Sequence, residues 1–287
     1  VEAYLRAEII AAEANPEPNP ADAARHLFSS GTTPQMPAGW PNAPELTYPQ
    51  PVITGPRINF SEAIRTVIDT ELEINPRLLV YGEDVGARGG VHRVTVGLQA
   101  KYGEGRVFDT SLSEEGIVGR SIGMALSGLR PIAEIQFRKY ADPAFEQIND
   151  LGWLRWQTAG KFAAPVVVRM PVGFSRKTGD PWHALSAEAV FAHSLGWQIA
   201  YPSNAQDAAG LLRSAMRGPD PTLFLEHRAL LDVSEARRPY PGDEYALPFG
   251  KAAVLTTGSR LTLVTWGAMV YRCLEACLLY TSPSPRD

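Results

Sequence analysis

The 287-residue sequence has little cysteine, no long apolar run and no strong excess of charge of one sign. Its two cysteines, Cys273 and Cys277, exclude a disulfide-stapled scaffold, and no histidines stand at zinc-ligand spacing. No apolar run approaches the roughly 20 residues that a membrane-spanning helix needs. The 27 lysines and arginines against 31 aspartates and glutamates leave a net charge of −4, too small to favour nucleic acid or a membrane surface as the main partner. The composition is that of a globular protein.

Several short catalytic motifs are also missing. The sequence has no Gly-x-Ser-x-Gly, which excludes the nucleophile elbow of the α/β hydrolases. Residues 82–90 form a glycine-rich segment, but it lacks the Lys-Ser/Thr of a P-loop and the spacing of the dinucleotide fingerprint. A mobile surface loop is therefore the favoured interpretation of that segment, with a phosphate loop as the alternative.

The two ends of the chain look like those of a fragment. The chain begins at Val1 rather than Met, no secretory pattern follows, and the tail at 277–287 interrupts a helical pattern without a cap. Ten of the 24 prolines lie between Pro16 and Pro56. We therefore expect a short helix at 1–14, the end of something larger upstream, and then a proline-rich linker or surface strap at 15–57.

From residue 58 onward, helix and strand patterns alternate. Helix starts are predicted at Asn59 or Ser61, at Ser113, at Asp142 with Pro143, at 187, and at Asn204. Strands are predicted at 78–81, 106–109, 132–137, 166–170, 197–200 and 222–226. This alternation predicts an α/β domain at 58–228, a parallel sheet with helices on both faces, with functional residues at the carboxyl ends of the strands. After a connection at 229–250, strand patterns at 252–257 and 261–266 predict the start of a second α/β domain at 251–276.

Two acids, Glu114 and Glu115, stand in the first turn of a predicted helix just after a strand. Favourable interaction with the helix dipole, worth roughly 0.3–1 kcal/mol, is enough to explain them. The functional alternative is that one carboxylate points into a cleft and pairs with a nitrogen of a ligand. Nearby Gly116 and Gly119 would let a flat ring or another backbone approach closely.

His183 and Tyr140 are further candidates. His183 follows a polar loop and precedes a helix, so it is either a hydrogen-bonding group at the helix start or an active-site acid or base. Tyr140 follows a strand, where an aromatic packs in a core or interface or forms a stacking platform for a heteroaromatic ligand. Packing is expected for His193. His92, His227 and His26 have no assigned role.

An ordered set of motifs resembles the β subunit, or β half, of the thiamine-diphosphate-dependent 2-oxoacid dehydrogenase (decarboxylating) component. The resemblance spans about 58–276 and is carried by Gly82–Gly86, Leu112–Gly119, Gly128–Phe137, Pro202–Ala208 and Phe224–His227. It implies a transketolase-like pyrimidine-binding domain, and oxidative decarboxylation of pyruvate or a branched-chain 2-oxoacid with acyl transfer to a lipoyl group.

The resemblance also implies roles for individual residues. Glu114 matches the glutamate that hydrogen-bonds a ring nitrogen of the aminopyrimidine of the cofactor. Tyr140 matches the aromatic beside that ring, and Leu112 and Gln136 match positions that line it. His183 matches a histidine placed for proton transfer near the substrate or lipoyl end. A potassium ion held by backbone around Ala215, Met216 and Asp220 is implied weakly, because Gly218 replaces an aspartate of that pattern.

The resemblance further implies partners. In this family a Gly-Asp-Gly…Asn segment on the α side holds the diphosphate and Mg²⁺, and this sequence lacks one. We therefore expect an α subunit or a fused α half, weak cofactor binding by this chain alone, a second protomer, a lipoyl-bearing acyltransferase, and a bacterial cytoplasmic location. The residues around His183 depart from the family form, His-Ala-Leu-Ser for His-Ser-Gln-Ser, which leaves the substrate open. Another transketolase-like enzyme, such as an acetoin dehydrogenase, and a non-catalytic assembly module remain alternatives.

Overall fold

The computed structural model describes residues 1–29, 47–162, 164–175 and 179–281. The middle of the predicted linker, part of the loop before His183 and the end of the tail lie outside these residues. Eight strands occur in the described part: β1 (Arg57–Ile58), β2 (Leu78–Gly82), β3 (Val107–Asp109), β4 (Arg130–Glu134), β5 (Val167–Val172), β6 (Gln198–Ala200), β7 (Thr222–His227) and β8 (Arg238–Pro239).

Six of these strands form one parallel sheet in the order β3-β2-β4-β5-β7-β6. The strands β1 and β8 form a separate antiparallel pair. Every residue of the central strands β2, β4 and β5 is buried, as expected for a parallel sheet that is covered on both faces. The predicted fold class is therefore confirmed.

Eight α-helices accompany the strands in the described residues: α1 (Glu2–Glu13), α2 (Phe60–Ile74), α3 (Leu98–Tyr102), α4 (Glu114–Leu126), α5 (Phe145–Gln157), α6 (Glu188–Ala192), α7 (Ala205–Arg217) and α8 (Met269–Thr281). Short 3₁₀ helices lie at Pro20–Asp22, Arg138–Ala144, Arg228–Leu230 and Ser234–Ala236. Among the described residues, each helix is too short or too polar to cross a bilayer.

Helices cover the two faces of the sheet with separate cores. On one face α2 packs against α7, and on the other α4 packs against α5. The start of α2 follows from its sequence, because the side chain of Asn59 accepts a hydrogen bond of 2.7 Å from the Glu62 backbone N–H. The predicted inner face of α2 is wholly buried: Ala63, Ile64, Val67, Ile68 and Leu72.

Three local predictions are wrong. The strand predicted at 132–137 starts at Arg130 and ends at Glu134, where its pairing with β5 ends. Asp142 does not cap a helix, because its carboxylate pairs with Arg138 and Lys139, and a 3₁₀ helix runs through Pro143 before α5 begins. The patterns at 252–257 and 261–266 lie in exposed coil, because no strand of the described residues pairs with them. The helix α3 was not predicted.

The described parts of the proline-rich segment lie on the α/β body. The Trp156 indole N–H donates to the Ala23 carbonyl at 2.9 Å, and the backbone N–H of Ser29 donates to the carboxylate of Asp220 at 3.0 Å. Farther along, the Val52 N–H donates to the Pro241 carbonyl at 2.9 Å. By contrast, α1 has no buried residue.

Candidate active site

The carboxyl ends of β2, β3 and β4 meet at one edge of the sheet. In the register of these strands, Gly82 lies between Asp109 on one side and Glu134 on the other. Residues that follow the three strands therefore emerge together, as the parallel fold requires. Close packing of the strands explains Gly82, since a Cβ there would lie 2.7 Å from the Glu134 carbonyl oxygen.

Glu114 is the first residue of α4 and is half-buried at this edge. It lies next to Glu83, which follows β2, so that the two carboxyl groups interact electrostatically. Two neighbouring carboxylates repel each other, so their proximity favours the protonated form of one of them. Burial first, and then the neighbouring charges of Glu114 and Asp84, raise the pKa of Glu83 to about 7. The edge therefore holds an acid, Glu83, that can bind a proton near neutral pH.

The two acids of the motif at α4 are in different surroundings. Glu115 is exposed, and its Oε1 accepts a hydrogen bond of 2.9 Å from the Ser113 hydroxyl. Ser113 is therefore at the N-cap position without capping through its side chain. Glu114 faces the interior of the edge and Glu115 faces outward, which makes them a matched pair for substitution.

Gln136 and Leu112 complete the set predicted around this acid. The Gln136 amide donates a hydrogen bond of 2.6 Å to Asp84 Oδ2, which also pairs with Arg88 at 3.2 Å. Gln136 thus joins the segment after β4 to the segment after β2. Leu112 leaves 82% of its surface exposed, so no described residue covers it.

Four rings form a wall after β4. Phe137 contacts Tyr140 edge-on at 5.9 Å between centroids, His183 at 4.6 Å and His92 at 5.7 Å. The Tyr140 hydroxyl and His183 Nε2 lie 3.1 Å apart, so the two predicted residues are brought together. Burial first, and then the positive charges of Arg228 and Arg169, lower the pKa of His92 to about 4, so this ring is neutral at pH 7.

A buried ion network lies beneath the edge on three strands. Arg169 of β5 is fully buried and pairs with Glu134 of β4 at 2.9 Å and with Glu226 of β7 at 2.7 Å. One guanidinium offsets the charge of one of the two carboxylates, so ionisation of the other is disfavoured. Burial accordingly raises the pKa of Glu226 to about 7.

The other predicted sites are placed as follows. At the turn after α7, Arg130 Nη1 donates to the carbonyls of Met216 at 3.2 Å and Gly218 at 2.6 Å, while Asp220 pairs with Arg155 at 3.1 Å. His193 is exposed at the end of α6, so it does not pack in the core. Within the described residues, no three His, Cys, Asp or Glu side chains are grouped as a metal site requires.

Sequence reasoning did not select Glu83, His92, Arg169 or Arg228 as site residues. Glu83 could have been found from the sequence, because it is an acid directly after a buried strand. It lies within the segment that was interpreted as a mobile loop. A cavity of about 500 Å³ adjoins the site, lined by Ala184 and Leu185 next to His183 and by Tyr201 and His227.

Residues 57–233 match the family model described as transketolase, pyrimidine binding domain. The 2-oxoisovalerate dehydrogenase subunit beta of Bacillus subtilis is 40% identical over 220 residues, which is 76% of this chain and 66% of the relative. The pyruvate dehydrogenase E1 component subunit beta of the same organism is 41% identical over 221 residues, 77% of this chain and 67% of the relative.

A relative from Pseudomonas aeruginosa, also a 2-oxoisovalerate dehydrogenase subunit beta, is 41% identical over 73% of this chain and 64% of its own length. The chain thus spans about two thirds of the relatives that it matches. A solved structure titled split gene transketolase, inactive beta4 tetramer, superposes with a TM-score of 0.60 at 20% identity, covering 78% of this chain and 66% of that one, and supports the fold alone. The chain belongs to the transketolase pyrimidine-binding domain family, and its relatives there include the β subunits of 2-oxoacid dehydrogenases.

Proposed function

We propose that this chain is the aminopyrimidine-binding part of a 2-oxoacid dehydrogenase that uses thiamine diphosphate. The reaction is the oxidative decarboxylation of pyruvate or a branched-chain 2-oxoacid, with transfer of the acyl group to a lipoyl arm. The observation that carries the proposal is the Glu114–Glu83 pair at the carboxyl edge, in which the pKa of Glu83 is raised to about 7. The β-subunit relatives support the same reaction class.

The side chains at this edge suit the cofactor. A carboxyl group that can give or take a proton is what a ring nitrogen of an aminopyrimidine requires of its partner, and Glu114 with Glu83 supplies it. The ring wall of Phe137 and Tyr140 offers an aromatic surface to a flat ligand. Gln136, tied to Asp84, and Leu112, with its exposed side chain, would line the same ring.

Thiamine diphosphate, when bound, supplies the carbon nucleophile and the electron sink for decarboxylation. The chain's own residues orient it and control the protons. Glu114 would hydrogen-bond a ring nitrogen of the aminopyrimidine, and Glu83 beside it would hold or release a proton near neutral pH. His183, with Nε2 near the Tyr140 hydroxyl, would move a proton at the substrate or lipoyl end.

The remaining parts of the enzyme are included in the proposal. Mg²⁺ and the diphosphate would be held by an α subunit or a fused α half, and a second protomer and a lipoyl-bearing acyltransferase would complete a cytoplasmic bacterial complex. Domain boundaries are proposed at 58–228 for the pyrimidine-binding domain and at 251–276 for the start of the next. A potassium ion at Ala215, Met216 and Asp220 would have to compete with Arg130, which already donates hydrogen bonds to carbonyls of that turn.

The test uses the matched acids of α4 in the enzyme assembled with its α side. We expect Glu114→Gln to lower kcat for 2-oxoacid decarboxylation by about 10²–10⁴-fold, the usual range for loss of a general acid or base. Glu115→Gln, which removes the same charge one residue away, should leave kcat within about twofold. Equal activities of the two variants would refute the proposed role of Glu114.

Substrate choice needs a separate measurement. The relatives include enzymes named for pyruvate and for 2-oxoisovalerate, at nearly equal identity. A comparison of kcat/KM for these two 2-oxoacids in the assembled enzyme decides between them.

A further inference from the structure

We propose that Asp180 is a positioning residue that fixes the tautomer and the orientation of the His183 ring, so that the lone pair of Nε2 faces Tyr140 and the reaction space. The inference deepens the proposed function and rests on it for its catalytic meaning. The structural part, which atom of the ring carries the proton, stands on the geometry of the loop itself.

Both carboxylate oxygens of Asp180 lie within hydrogen-bond distance of one ring nitrogen of His183. Its Oδ2 lies 2.8 Å from His183 Nδ1, and its Oδ1 lies 3.0 Å from the same nitrogen. A carboxylate can only accept hydrogen bonds, so Nδ1 must be the donor. In a neutral ring the other nitrogen, Nε2, is then left without a hydrogen and can accept. The hydrogen bond to Nδ1 is also the first cause that lowers the pKa of Asp180, which keeps this carboxylate ionised.

Backbone N–H groups of the loop give the two carboxylate oxygens of Asp180 different hydrogen-bond partners. Oδ1 accepts the backbone N–H groups of Trp182 at 2.9 Å and of His183 at 3.1 Å. Both donors require an oxygen at that position. Oδ2, at 2.8 Å from Nδ1, makes no contact with either of these N–H groups and is directed to the ring.

The ring is held on its other sides as well. Phe137 meets it edge-on at 4.6 Å between centroids, and the Tyr140 hydroxyl lies 3.1 Å from Nε2. Arg228 Nη1 donates to the His183 backbone carbonyl at 2.7 Å, which fastens the loop to the end of β7. These contacts fix the position of the ring, and Asp180 decides which of its nitrogens carries the hydrogen.

The charged groups around the ring come from three elements. Asp180 belongs to its own loop. Tyr140 and Lys139, whose ammonium lies 5.3 Å from the Trp182 ring, come from the 3₁₀ helix after β4. Arg228 follows β7, and His92 lies behind Phe137 with a neutral ring. Among these groups, Asp180 provides the acceptor for Nδ1.

Asp180→Asn tests the inference sharply. The asparagine carbonyl should stay at the Oδ1 position, because the two backbone N–H groups need an acceptor there. Its NH₂ group then takes the Oδ2 position and offers a donor to Nδ1. This donor takes the shorter of the two contacts with Nδ1, 2.8 Å against 3.0 Å for the Oδ1 position, so we expect Nδ1 to become the acceptor and the proton of the neutral ring to move to Nε2. For the same reason, an aspartate-to-asparagine change in a serine-protease triad leaves the catalytic histidine in the wrong tautomer.

The readout is the tautomer of His183 in the full chain, measured by long-range ¹H–¹⁵N correlation on histidine-labelled protein above pH 8. His183→Gln assigns the signal among the five histidines. We expect the Nδ1–H form in the wild type and the Nε2–H form in Asp180→Asn. Asp150→Asn, the same change on the exposed side of α5, should leave the signal unchanged. An Nδ1–H form that persists in Asp180→Asn would overturn the proposal.

The assembled enzyme gives a second readout. With the wrong tautomer, kcat should fall about 10- to 100-fold while KM for the 2-oxoacid changes less than about threefold. If the tautomer inverts and kcat is unchanged, Asp180 still positions the ring but His183 takes no part in proton transfer. That result would refute the proposed catalytic role of His183 without affecting the NMR result.

Discussion

Two buried ion networks lie in this domain, and they differ in charge balance. The site network beneath the carboxyl edge has two carboxylates, Glu134 and Glu226, for one guanidinium, Arg169. The helix network between α2 and α7 has two guanidinium groups, Arg213 and Arg217, which pair with the buried Glu71 and with Glu244, an exposed residue beyond β8. The first has one more carboxyl group than it has cations, so it holds either an extra negative charge or a proton, whereas the second has equal numbers of the two.

The hydrogen bonds show the same difference. In the helix network, Arg213 also donates to the carbonyl of Tyr245 at 2.6 Å and to the hydroxyl of Tyr240 at 2.8 Å. In the site network, Glu226 Oε2 and Arg169 Nη2 are buried without a hydrogen-bond partner among the described residues. A saturated network stabilises the packing of two helices. An unsaturated one, such as that beneath the carboxyl edge, retains the capacity to titrate.

The largest expected effect comes from removing the arginine of each network. Arg169→Met leaves Glu134 and Glu226 buried without a cation, so we expect a loss of about 3–5 kcal/mol in the free energy of unfolding. Arg213→Met leaves Glu71 paired with Arg217 and should cost about 1–3 kcal/mol, mainly through carbonyls that lose a donor. Urea unfolding of the two variants at pH 7.5 measures both losses. A larger loss of unfolding free energy for Arg213→Met than for Arg169→Met would contradict the proposed difference between the two networks.

The next effect is the pH dependence of stability. The pKa of Glu226 is about 7 in the folded chain, above the ordinary value of 4.5 that applies when unfolded. Below about pH 4.5 the group is protonated in both states and adds no penalty. As pH rises from 4.5 to 7 the unfolded chain loses this proton first, so the stability due to this group falls, by on the order of 1–3 kcal/mol.

Glu226→Gln removes this titration, so the difference between the urea midpoints at pH 5 and pH 7.5 should shrink. Glu83→Gln should act in the same direction, because the pKa of Glu83 is also raised to about 7, but less strongly since Glu83 is only half-buried. Glu244→Gln in the helix network is the control, because the pKa of Glu244 is lowered by Arg217, so its titration falls below this window. An unchanged pH dependence in Glu226→Gln would show that Glu226 is ionised throughout.

These networks also show what the sequence could and could not predict. The helices α2 and α7 were predictable because their signals are local: Asn59 and Asn204 cap their starts, and apolar residues recur on one face. Glu114 was likewise found from a local pattern, an acid at a helix start after a strand. Its partner Glu83 lies 31 residues earlier in the sequence, so the pair exists only once β2 and α4 are brought together.

The errors have the same origin. Asp142 has the local chemistry of a helix cap, but tertiary structure gives it two cations instead. The apolar runs at 252–257 and 261–266 have the composition of strands, but a strand forms only beside another strand. Arg169 gave no signal at all, because an arginine within an apolar run becomes meaningful only when Glu134 and Glu226 stand on the neighbouring strands.

The smallest expected effect concerns potassium at the turn after α7. Arg130 donates to the carbonyls of Met216 and Gly218, and Arg155 donates to that of Pro219 at 3.1 Å, so two guanidinium groups already bind the backbone that the ion would need. Replacing Na⁺ by K⁺ at constant ionic strength should therefore stabilise the chain by less than about 1 kcal/mol, a shift of under about 3 °C in Tm. Arg130→Met frees the carbonyls of Met216 and Gly218, and the potassium-specific shift should then grow. A Tm shift above about 5 °C in the unmodified chain would mean that K⁺ displaces the two arginines from these carbonyls. The turn would then resemble the site network, in which the arginine does not balance all of the negative charge.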